Sequence, residues 1–173
     1  MEEHAHAHPD RAEAFISTVL SRCGKDKGFA ARLKRADNPA TEAQSWGMLA
    51  QFQVNLENDR ERLPFALIGA AAARAQISSD GQAGLGIALR GCFEDMEQAA
   101  PRLRRLLACD STEELCRVLR PLLQLLAQRG RPLCYSRLLR DLLWFSNGGQ
   151  RVKLRWAQEF YGQPGADENG QEG

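Results

Sequence analysis

Residues 148–162 read "GGQRVKLRWAQEFYG", and the fold class turns on their period. Arg151, Lys153 and Arg155 alternate with Val152, Leu154 and Trp156, as in a strand laying one basic face along a nucleic acid. A strand would continue one face through Ala157, Glu159 and Tyr161, and there the period of two breaks. Projected at about 100° per residue, Val152, Trp156 and Phe160 fall within about 80° of one another, and Leu154, Ala157 and Tyr161 widen the apolar arc to about 200°. The stretch is expected to be a mostly buried helix. Arg151 and Arg155 share its narrow polar edge with Glu159, and Lys153 lies at the margin.

Helical spacing extends through the rest of the chain. In "CYSRLLRDLLWFS" (134–146) Leu138, Leu139, Leu142 and Leu143 face inward, whereas Arg137, Arg140, Asp141 and Trp144 face outward. Pro132 opens this helix, and Asn147, Gly148 and Gly149 make a turn before the last one. Ser111 and Glu114 form a capping box for a helix running to Gly130, with Pro121 placed to kink it; Arg117, Arg120, Gln124 and Gln128 share its polar face. Pro101 lies near the start of a helix over 98–109, in which Leu103, Leu106 and Leu107 oppose Arg102, Arg104 and Arg105.

In the first half, Asp10 caps a helix over 11–22 bearing Phe15, Val19 and Leu20. "GKDKG" (24–28) is a loop before a short helix "FAARLKR". Asn38-Pro39 opens a helix with Trp46, Leu49 and Phe52 near one face, and Pro64 starts another that reaches about Gln76. "SSDGQAGLG" (78–86) reads as a flexible turn region. No pair of strands joined by a hairpin turn is legible. The expected fold is all-α with no sheet: two packed helical lobes, roughly 10–92 and 95–162, between disordered tails at 1–9 and 163–173.

The 173 residues are 43% apolar and 26% charged, as in a soluble globular protein. No apolar run is long enough to span a bilayer. The acidic start "MEEHAHAHPD" is no secretory signal, so a cytoplasmic protein is expected. The five cysteines form no CxxC pair and fit no zinc frame; they read as reduced, buried thiols. Net charge is only +1, but residues 102–155 hold twelve bases against four acids. That asymmetry points to a phosphate-binding surface. Arginines also outnumber lysines, 19 to 4; arginine suits bidentate phosphate contact, although a GC-rich coding sequence gives the same bias. Trp144, four residues after Arg140, either stacks on a base or guanidinium or lies in an interface between lobes or subunits.

Catalytic chemistry is sparse. The only histidines are His4, His6 and His8 at the N-terminus, so the folded body offers no histidine base for a serine or cysteine nucleophile. "GQAGLG" lacks the dinucleotide spacing and "GKDKG" the Walker spacing. Glu94, Asp95 and Glu97 read as a helix start. No enzyme activity, cofactor or metal site is expected, save that carboxylates distant in sequence can still meet in space.

Three stretches carry a family resemblance. "KDKGFAARLKRADNP" (25–39), "PRLRRLLACDSTEELCRVLRPLLQLL" (101–126) and "LLRDLLWFSNGGQRVKLRWAQEFYG" (138–162) occur in the order, and with the basic and aromatic positions, of the CasB family. "GLGIALR" (84–90) is similar to that family's glycine-aliphatic approach to a middle helix. The resemblance spans about 10–162. Lys34 stands where the family often has arginine.

CasB proteins are the small subunit of the type I-E CRISPR Cascade complex. The resemblance therefore implies a non-enzymatic all-α protein that touches the backbone and large subunits and a second copy of itself. It also implies a basic surface that holds the target and displaced strands of crRNA-guided DNA, single-stranded and in the R-loop. The residues it assigns are Arg32, Lys34, Arg35, Arg104, Arg105 and Arg151; facial projection adds Arg102, Arg120, Arg137 and Arg140. These would bind without sequence preference. The same arginines would also suit acidic protein partners in a purely structural helical subunit. A helix-turn-helix regulator fits poorly, because a leucine-filled helix follows the Gly130 turn.

Overall fold

The alanine-rich helix α4 (Asp59–Ala75) is the central element of the computed structural model, which describes residues 10–162. The expectations for 1–9 and 163–173, including the three histidines, lie outside the described residues. From Pro64 to Ala73 every residue of α4 is buried, because small side chains let neighbours close in on all sides. It packs against α1 (Arg11–Cys23), α2 (Lys27–Leu33), α7 (Thr112–Gln128) and α8 (Tyr135–Tyr161). At Gly69 an added Cβ would come within 3.0 Å of the Phe15 ring and 3.1 Å of Leu33. The order is completed by a 3-10 turn (Glu42–Ser45), α3 (Trp46–Gln51), α5 (Leu85–Gly91) and α6 (Met96–Leu107). No strand occurs among the described residues, so the fold is all-α.

Helix starts follow the capping residues. Asp10, Asp26, Asn58, Asp95 and Ser111 each accept a backbone N–H of the first turn of α1, α2, α4, α6 and α7. Ser111 accepts from Glu114 N at 3.1 Å, while the Glu114 carboxylate reaches back to Asp110 N at 3.1 Å. Helix α7 ends in a Schellman turn: Gly130 is left-handed (φ 62°), and Arg131 N donates to Leu126 O at 2.9 Å.

Four expectations need correction. The helix proposed from Asn38-Pro39 is instead a turn followed by two short pieces. Asn38 Oδ1 accepts from Ala40 N at 3.0 Å and Thr41 Oγ1 donates to Arg35 O at 2.9 Å; such local bonds compete with a helix. Trp46 is 39% exposed rather than packed with Leu49. Helix α4 begins at Asp59, a turn before Pro64, because Asn58 supplies the cap. The segment 78–84 is irregular but tied down: Gly81 N donates to Leu133 O and Cys134 N to Ala83 O. Asp80 accepts from Tyr135 N (2.7 Å), Ser136 N (3.1 Å) and Ser136 Oγ (2.6 Å), so this loop caps α8 from outside.

The opening stretch is helical, as its period predicts, but its buried arc is narrower. Val152, Trp156 and Phe160 are buried, whereas Leu154 and Tyr161 are 61% and 54% exposed. The expected Asn147–Gly149 turn is a bend at Gly148 (φ −142°, ψ 29°) within α8. The buried apolar side chains, from Ala12 to Phe160, form one hydrophobic cluster.

Candidate nucleic-acid interface

The bend in α8 opens a groove of about 890 Å³ lined by Arg137, Arg140 and Trp144 before it and by Arg151, Val152 and Arg155 after it. Helical spacing puts Arg137, Arg140 and Trp144 on one face, and the bend turns Arg151 toward them. Asp141 also lines this groove but is only 7% exposed; it was expected to face outward. Its carboxylate is drawn inward by Trp156, whose Nε1 donates to Oδ2 at 3.0 Å, and by an ion pair with Arg155. The one acid lining the groove is thereby engaged by Trp156 from the core and by Arg155 from the solvent side.

A second groove, at the α1–α8 junction, shares Arg137 and Arg140 as walls and includes Ser78 to Gln82. A third, between α1, α2 and α4, shares Leu20 and Ser78 with the second and is rimmed by Lys27, Lys34 and Arg35 over an alanine floor. The three form one run of surface from α2 to the α8 bend. Its acids are Glu13, Asp80 and Asp141; Asp80 caps α8 and Asp141 holds Trp156. The balance along the run favours a polyanion.

The arginines differ in how they are held. Arg140 pairs with Asp10, and Arg137 lies 3.9 Å from Glu159. Glu159 also accepts from Gly86 N at 3.0 Å. Arg151 makes no ion pair among the described residues. Arg32 is exposed on α2 near Asp26, whose carboxyl is held below the usual range chiefly by the Phe29 N–H, with Arg22 and Arg32 adding. Arg35 donates to Gln44 at 3.4 Å.

The remaining candidates lie elsewhere. Arg120 is drawn to Asp37 (3.4 Å), which Arg74 grips with two bonds of 2.7 Å. That cluster joins the α2–α3 connection to α4 and α7; Arg120 and Asp37 line a separate groove and neither lines the three above, although Arg74 also bonds the Lys34 carbonyl. Arg102 lies over the Phe93 ring at 4.3 Å. Arg104 and Arg105 are exposed on α6 without an ion pair among the described residues.

Sequence reasoning did not single out Arg90, Arg129 and Arg131, which line a groove around Phe93. Arg129 lies 4.9 Å from the ring centroid on which Arg102 also packs. Arg129 and Arg131 flank the Gly130 turn, where facial projection has nothing to project. Lys27, on the α2 rim, falls in "GKDKG", whose composition reads as a loop although Lys27 opens α2.

Among the described residues no three His, Cys, Asp or Glu side chains converge to hold a metal ion, and no helix is long and apolar enough to cross a membrane. All five cysteines are free, with Cys92, Cys109 and Cys116 buried.

A family model described as CRISPR-associated protein Cse2 matches residues 30–161. No curated protein matches the chain. The crystal structure of CasB from Thermobifida fusca is 21% identical, with a TM-score of 0.67 over 89% of this chain and 99% of that one. The Cse2-family protein of Thermus thermophilus is 25% identical, with a TM-score of 0.67 over 88% and 98%. A chain of a CRISPR RNA-guided surveillance complex is 19% identical, with a TM-score of 0.69 over 87% and 91%.

Proposed function

The chain belongs to the CRISPR-associated protein Cse2 family, and we propose that it is the non-catalytic small subunit of a Cascade-type, CRISPR RNA-guided surveillance complex in the cytoplasm. In that role it holds the target and displaced DNA strands without sequence preference and stabilises both the R-loop and the assembly. Its partners are the backbone and large subunits, a second copy of itself and R-loop DNA. Support comes from the family and from the similarity to a chain of such a complex. The observation that carries the reading is the run of three adjoining grooves that places Lys34, Arg35, Arg137, Arg140 and Arg151 along one surface.

Arginines on such a surface meet phosphates and leave sequence to be read by base pairing. One copy offers few phosphates, so the isolated chain binds measurably at low salt but weakly at physiological salt, where retention gains from the effective concentration the scaffold supplies. Arg104 and Arg105, which do not line these three grooves, favour a second role in contacting an acidic subunit surface.

Reconstituted complexes with Arg137→Ala/Arg151→Ala and with Arg104→Ala/Arg105→Ala separate the two roles. The first pair is expected to assemble normally and shorten R-loop lifetime; the second is expected to weaken assembly. An unchanged R-loop lifetime in the first pair would rule out the groove as the DNA-holding surface.

A further inference from the structure

We infer that the groove at the α8 bend contains a base-stacking subsite, in which one unpaired nucleobase of a single strand lies on the indole of Trp144 between Arg140 and Arg151. This rests on the DNA-holding function proposed above and adds the state of the strand: the groove takes single-stranded rather than duplex nucleic acid.

Trp144 is 63% exposed, the highest value among the exposed large apolar side chains described. Leu142 and Phe145 beside it are buried, so the core is complete without it. One turn further along, a Cβ added to Gly148 would meet nothing within 4 Å, so the space beyond the indole is open backbone. Arg140 precedes Trp144 by one turn, and Arg151 returns to the same groove after the bend. Asp141, the groove's carboxylate, is engaged by Trp156 and Arg155 and does not repel a phosphate there as a free acid would. A flat indole between two guanidinium groups suits alternating base and phosphate.

Base–aromatic stacking tolerates any base, because every base has a π-face. That matches a subunit that must not read sequence. In a duplex those faces are covered by neighbouring pairs. Charge favours nucleic acid over an apolar protein segment as the occupant: four arginines line the groove against one carboxylate, and although Arg137, Arg140 and Arg155 pair with Glu159, Asp10 and Asp141, Arg151 makes no ion pair among the described residues.

The test compares oligothymidylate of about ten nucleotides with an abasic oligomer of the same length, binding to the full chain at low salt. Wild type is expected to bind the base-bearing oligomer about tenfold more tightly, the fold-change of one stacked base. Trp144→Ala should erase that difference and Trp144→Phe should restore part of it. In a Trp46→Phe background, where the remaining second tryptophan, Trp156, is buried, the oligothymidylate should quench indole fluorescence and the abasic oligomer should not. The subsite is overturned if Trp144→Ala keeps the full preference for bases. It is equally overturned if that variant binds both oligomers as wild type does but no longer joins the complex, since Trp144 would then be a protein contact. If wild type binds both oligomers equally, only the stacking subsite fails; if it binds neither, the DNA-holding function fails with it.

Discussion

Trp156 donates its indole N–H to Asp141 at 3.0 Å, across fifteen residues and the Gly148 bend. One carboxylate on the first half of α8 thus fixes a fully buried anchor on the second half, with Arg155 closing over it from the solvent side. This link joins the two halves of α8 across the bend that lines the groove.

Asp141→Ala should destabilise the protein by about 2 kcal/mol, the loss of a buried hydrogen bond to a charged acceptor, discounted because Arg155 remains partly solvated. Asp141→Asn, which can still accept from the indole, should lose less. Urea midpoints at unchanged m-value check this.

Two neighbours in "VKLRW" should behave oppositely. Trp156→Ala should lose about 3–5 kcal/mol as a fully buried aromatic. Leu154→Ala should change stability by less than about 0.5 kcal/mol, because that side chain is largely exposed. Equal losses would contradict the observed face.

Gly86 in α5 marks a close approach to α8. A Cβ at Gly86 would meet the Trp156 carbonyl and lie 2.7 Å from Glu159 Cβ and 2.9 Å from Phe160 N. Gly86→Ala should therefore destabilise by about 2 kcal/mol or more, as overpacking against backbone does. Gly47, inside α3 with nothing within 4 Å, gives the control: Gly47→Ala should be neutral or stabilise by up to about 1 kcal/mol. Thermal melting of both variants distinguishes these outcomes.

The sequence period identified the helices, and the order of motifs pointed to the family. Much of the candidate surface was legible too: Arg137, Arg140 and Trp144 follow from facial projection, Arg151 from its place in the final segment. Depth was not legible. Asp141 shares the outward stripe with Arg140, yet it is pulled inward by an indole fifteen residues away. Arg120 shares a face with Arg117, yet it turns to Asp37 from a distant loop. Leu154 falls inside an arc that periodicity calls apolar, but no described element covers it. In each case a partner distant in sequence, or its absence, decides the position, and a helical wheel does not contain it.

Stability should fall at alkaline pH. Burial and Asp80 push the Tyr135 hydroxyl up to about 12, and burial pushes the Cys116 thiol up to about 12. Burial also raises Cys23 and Cys109. Each of these groups stays protonated in the native state while the unfolded chain ionises, cysteines near 8.5 and tyrosine near 10, about their ordinary values. Their contribution is full below about pH 8 and declines as pH rises toward 12. Tyr135→Phe should flatten the decline above about pH 10, read from urea midpoints across that range.

The salt dependence of single-strand binding tests the central claim most directly. Each phosphate neutralised on a single strand contributes about 0.7 to the slope of log K against log salt. Fluorescence anisotropy with oligothymidylate should show a steep negative slope for wild type, shallower by about 1.4 for Arg137→Ala/Arg151→Ala and unchanged for Arg120→Ala. A wild-type slope near zero, or an equal slope in the groove variant, would contradict the assignment of this surface to DNA.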